Sequence, residues 1–147
     1  MKNGNVSNKK LGNDFEREFC DTLSQMGFWC YNLPSKIEGQ PFDVIACLNK
    51  KTFVIDCKVC KNDVFSLDRV EDNQYSSMMR FHKCGNGWGY FAMKTSEGVF
   101  MVDAGVLFRW RDLNLSKKSL SLDSIKAIGT LLPIWINKIR SSGLCMC

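Results

Sequence analysis

Apolar and polar positions alternate with two different periods along this chain, and each change of period marks an element. Phe15, Phe19, Leu23 and Met26 recur at spacings of four, four and three, one stripe of a helix that Gly12 or Asn13 can cap and Gly27 closes. Residues 28–33 turn aromatic and short, a first strand, and a loop over 34–40 follows. Two more strands cover 41–46 and 53–59, joined by Asn49-Lys50-Lys51 as a hairpin turn. Residues 61–69 are loop-like, while 67–79 predict a second helix with Val70 and Tyr75 among its apolar positions. After the turn Gly85-Asn86-Gly87, strands at 88–93 and 99–102 flank a turn at 95–98. Residues 105–112 fit strand or helix equally well. Asp123 can cap a short helix through Ile128, and Pro133 opposes one continuous helix from there to Arg140. This order predicts an α/β fold, with a single mixed central sheet flanked by helices.

With 147 residues, 45% hydrophobic and 24% charged, the chain is large enough for one buried core and has no run long enough to span a bilayer. The polar, lysine-bearing residues 1–12 are expected as a flexible basic arm, 13–140 as one domain and 141–147 as a frayed tail. Residues 1–5 lack the apolar start of a secretory signal, so the expected location is the cytoplasm of a bacterium or a phage-infected host. Reduced thiols are then expected for the eight cysteines. Cys57-x-x-Cys60 resembles half a zinc site, but strand alternation sends the two thiols to opposite faces and the only histidine is His82. A net charge of +5 suits a phosphate-backbone partner without requiring one.

The chemistry sits in the second and third strands. Asp43 and Asp56 are carboxylates inside apolar runs, where desolvation penalises them unless cations or donors meet them. Alternation puts Val54, Asp56 and Lys58 on one face of their strand. Two acids and a lysine converging on a strand pair suit a magnesium-dependent phosphodiesterase: Mg²⁺ takes hard oxygen ligands and needs only one or two protein carboxylates. Asp43, Asp56 and the Cys57 carbonyl are the candidate ligands, with Mn²⁺ expected to substitute. Lys58 is placed to orient or deprotonate the attacking water, or to stabilise the phosphate. In the first helix, Glu16 lies at the edge of the apolar stripe, within reach of the sheet end, although a first-turn glutamate is also favoured by the helix dipole alone.

Gly12-x-x-Phe15-Glu16-Arg17, then Pro41-Phe42-Asp43, then Asp56-x-Lys58 resembles the PD-(D/E)xK nuclease superfamily, with Asp43 and Asp56 as its two acids and Lys58 as its lysine. Residues 65–70 followed by Asn73-Gln74 are similar to the segment after the catalytic lysine in RecU-type Holliday junction resolvases, with Asn73 replacing a histidine and Gln74 keeping the glutamine. The stretch between Ala46 and Phe53 leaves no room for the RecU stalk, and Phe15-Glu16-Arg17 with Ser35 is closer to archaeal-type junction resolvases. A small, phage-encoded resolvase reconciles both likenesses. The resemblance implies a restriction-endonuclease-like core and a Mg²⁺-dependent endonuclease that cuts four-way DNA junctions symmetrically as a homodimer. It also implies catalytic roles for Glu16, Asp43, Asp56, Lys58 and Gln74. Lys61 lies near the site in sequence, but Lys36, Arg69 and Lys10 are the favoured DNA contacts. The competing readings are a restriction or repair nuclease of the same superfamily acting on duplex DNA, and a non-catalytic nucleic-acid-binding module.

Overall fold

Each apolar stripe finds its cover on one of two faces of a central sheet. In the computed structural model, which describes residues 7–34 and 39–143, α1 spans Asn8–Gln25. It begins ahead of the expected cap at Gly12 or Asn13, because the Ser7 side chain accepts a hydrogen bond from the Lys10 N–H and satisfies an otherwise orphaned donor. Residues 8–12, expected in a flexible arm, are therefore helical. Gly27 closes the helix at φ 95°, a left-handed conformation that favours glycine.

Strands β1 (Trp29–Asn32), β2 (Val44–Leu48) and β3 (Lys51–Val59) form an antiparallel meander. The β2–β3 turn holds Asn49 and Lys50 at φ 53° and 63°, the pair of positive angles of a type I′ hairpin. Asn49 Nδ2 also donates to the Ile139 carbonyl, which ties the turn to the far end of the described chain. A crossover then carries β4 (Phe65–Ser66), a 3₁₀ turn at Leu67–Arg69, and α2 (Asp72–Lys83). The second helix starts later than expected, since Leu67 N–H bonds to the Lys118 carbonyl and Glu71 and Gln74 form a capping box. Beyond it come β5 (Tyr90–Thr95), β6 (Gly98–Asp103) and α3 (Ala104–Leu113), so the ambiguous 105–112 is a helix, started by the Asp103 side chain accepting from Val106 N–H. Strand β7 (Ser119–Leu120) pairs with β4. Helix α4 (Leu122–Ile128) is capped by Ser121 rather than Asp123, which lies in its first turn. The chain then breaks into β8 (Gly129–Leu131) and α5 (Leu132–Ser141), where Pro133 starts a helix because the first turn needs no N–H from it.

The main sheet runs β1-β2-β3-β5-β6-β8, antiparallel except for the parallel β3–β5 pair, so the class is the mixed, helix-flanked α/β sheet expected. One face packs Phe15, Phe19 and Leu23 of α1 and Trp135 and Ile136 of α5 onto Phe53, Ile55 and Cys57. The other packs Met78 of α2, Phe108 of α3 and Ile125 of α4 onto Val54, Phe91 and Val102. Cys57 and Cys60 belong to these opposite clusters.

Candidate active site

Strand β3 outruns its neighbour. Pairing with β2 ends at Val44 opposite Ile55, whereas pairing with β5 continues through Val59 opposite Lys94. From Asp56 to Val59 one edge of β3 is therefore open in the middle of a sheet. Asp43 fills the first step of that gap: its N–H donates to the Ile55 carbonyl, the residue already paired with Val44, and this bulge-like doubling turns the side chain inward. Asp43 Oδ2 then accepts the Cys57 N–H at 2.8 Å, replacing the missing ladder partner. The Cys57 carbonyl lies on the same open side as its N–H.

Asp56 is only 3% exposed, and Lys58 Nζ stands 3.0 Å from its Oδ2 with the lysine side chain 12% exposed. That contact has ion-pair distance but not hydrogen-bond direction, so Oδ2 is buried without a hydrogen-bond partner. Burial, reinforced by the Asp43 charge, pushes Asp56 up to about 7 against the pull of Lys58. Asp43 is raised by its own burial and by Glu16, opposed by the Cys57 N–H. Glu16, delivered from α1, is raised by burial and then by Asp56, with a contact to Asp43 working the other way. Three acids thus crowd one ammonium. The structure brings Glu16, Asp43, Asp56 and Lys58 together.

The other described candidates have contacts or placements of their own. Gln74 is buried in the first turn of α2, where its Oε1 accepts the Glu71 N–H; this contact belongs to the helix cap. Arg69 donates from Nη1 to the Val59 carbonyl, beside the open edge, and lies 5.4 Å over the Phe65 ring. Lys10 is exposed in the first turn of α1. Lys36, with Ser35, lies outside the described residues, as do Cys145 and Cys147. Sequence reasoning overlooked Gln40 and the brace it shares with Asn73. Asn73 Nδ2 donates to the Gln40 carbonyl and Gln40 Nε2 to the Phe42 carbonyl, which pins the approach to Asp43 onto α2. Those partners are 33 positions apart, so no local pattern announces them.

The donor set fits a hard divalent cation. Three carboxyl groups held toward protonation by burial and then by their neighbours' charge, a buried oxygen without a hydrogen-bond partner and a carbonyl on an open strand edge are what such an ion neutralises. Among the described residues no three His, Cys, Asp or Glu side chains form a complete cage, which Mg²⁺, keeping several waters, does not need.

The model of the archaeal Holliday junction resolvase (Hjc) family matches residues 7–134. Among solved structures, Hjc from Archaeoglobus fulgidus, a Holliday junction resolvase from an archaeal hyperthermophile, superposes with a TM-score of 0.64 at 17% identity, covering 86% of this chain and 98% of that one. The bacterial homing endonuclease I-Ssp6803I gives 0.56 at 10% identity over 95% of this chain and 99% of its own. At these identities the two likenesses speak to fold. No significant match exists among curated proteins.

Proposed function

This chain belongs to the archaeal Holliday junction resolvase family, and from that membership we propose that it is a Mg²⁺-dependent, structure-selective DNA endonuclease that cuts four-way junctions symmetrically as a homodimer. The observation that carries this reading is the convergence of Glu16, Asp43, Asp56 and Lys58 on the open edge of β3.

Asp43 and Asp56, with the Cys57 carbonyl, would hold the ion, which when bound neutralises charge on the phosphoryl oxygens. Asp43 is oriented by the Cys57 N–H. Lys58 presents its ammonium beside Asp56, where it can position the attacking water or steady the phosphate. Glu16 closes the cluster from α1 and shares its proton load with the two aspartates. The burial of Asp56 keeps bulk water from screening these charges. Gln74 acts here as a positioning residue through the start of α2, and Lys10, Lys36 and Arg69 supply backbone contacts.

A cleavage series on a four-way junction, a flap, plain duplex and single strand tests the proposal. With Mg²⁺ or Mn²⁺ the junction should be cut in two opposed strands, and with Ca²⁺ it should be bound and left intact. Asp43→Asn should bind and not cut. Equal cutting of plain duplex would reassign the chain to restriction- or repair-type nucleases. Bound junctions that survive Mg²⁺ would leave a binding module.

A further inference from the structure

Gly12 sits in the interior of α1, where glycine is less favourable than alanine. Nothing among the described residues requires it: its φ is not left-handed, and a Cβ built there meets none of their atoms within 4 Å. The space it leaves clear is one wall of a cavity of about 510 Å³, within the roughly 300–1,000 Å³ of ordinary ligand sites. Cys57 and Val59, on the open edge of β3, form the opposite wall, so the cavity adjoins the acid cluster through the residue that holds Asp43. Asn8 and Leu11 of α1, with Lys61, Val64, Ser66 and Arg69, complete the lining. Neither Lys61 nor Arg69 has a carboxylate partner among the described residues. The bond from Arg69 to the Val59 carbonyl holds the guanidinium in place at the rim.

Two cations without carboxylate partners, facing the stretch of α1 that Gly12 leaves open and next to three acids that repel anions, mark where a polyanion must be guided in. We infer that this cavity holds the sugar–phosphate backbone of the DNA strand next to the phosphate being cut. Gly12 is kept free of a side chain so that this strand can lie against α1, while Lys61 and Arg69 hold its phosphate. The inference rests on the nuclease reading and adds to it the path of the substrate strand and a residue that admits it.

Binding to a four-way junction in Ca²⁺, which does not depend on cutting, is measured beside thermal melting and Mg²⁺ cleavage. Gly12→Ala should raise Tm, because the helix gains a better former and loses nothing. Gly12→Leu, which fills the cavity, should keep the wild-type Tm or exceed it and bind about tenfold more weakly. Lys61→Ala with Arg69→Ala should lower affinity and reduce the slope of log affinity against log salt by about one. A single uncharged methylphosphonate, moved step by step around the branch, should weaken the wild type at one position and leave the double variant unaffected there. A lower Tm for Gly12→Ala would show that the fold itself needs glycine and would overturn the inference. Wild-type affinity and cleavage for Gly12→Leu would overturn it while the nuclease reading stands. A wild-type protein that binds the junction through Gly12 yet cuts nothing in Mg²⁺ would instead remove the nuclease reading and keep the channel.

Discussion

At the scale of single residues the site is a balance of charge that the protein alone leaves uneven. Asp56 has an ordinary value of 3.8 and about 7 in the fold. Raised folded affinity for a proton means stability that is complete below 3.8 and lost as pH rises through about 7. We predict that the metal-free protein loses up to roughly 1.4 kcal/mol per pH unit within that window. Mg²⁺ should restore the loss at neutral pH, and Asp56→Asn should flatten the slope. Urea midpoints across pH, with chelator and with Mg²⁺, check this; a metal-free stability that rises with pH there would contradict it. The acids and the lysine were legible in the sequence because carboxylates in apolar strands are conspicuous. Their environment was not: the doubled pairing at Ile55 and the overhang of β3 depend on where β2 stops, which no local pattern states.

At the scale of elements, short-range chemistry decides boundaries and long-range packing decides identity. Ser7→Ala should cost about 1 kcal/mol by removing the cap of α1. In the β2–β3 turn, Lys50→Gly should stabilise by roughly 1 kcal/mol, since a lysine at φ 63° is strained and glycine is not. Asn49→Gly should fare worse than Lys50→Gly, because the Asn49 side chain also binds the Ile139 carbonyl. Paired denaturation curves would reverse that ranking if the turn acted alone. Gln74→Ala should cost about 1–3 kcal/mol by leaving a buried cap donor unmet. A fall in turnover beyond that loss, measured well below the melting temperature, would mark a role in the chemistry itself. The hairpin and the main strands could be read from alternation and turn residues. The two-residue strands β4 and β7 could not, being too short to show a period, and α3 was decided by packing and the Asp103 cap rather than by propensity.

At the scale of the whole molecule, α1 and α5 lie on one face and share one apolar cluster, with Phe15, Phe19 and Leu23 meeting the same strands as Trp135 and Ile136. Replacing Trp135 with alanine should cost about 3–5 kcal/mol by opening that cluster. Junction cleavage should then decay with temperature in step with the near-ultraviolet signal of the aromatic cluster. Activity that outlasts that signal would show that Glu16 is held by something else. The shared cluster also dictates a timetable for synthesis. Glu16 and both aspartates leave the ribosome early, but the face that seats α1 is finished only when α5 emerges. A growing chain therefore carries every acid of the cluster well before it carries the packing that seats Glu16 beside the two aspartates.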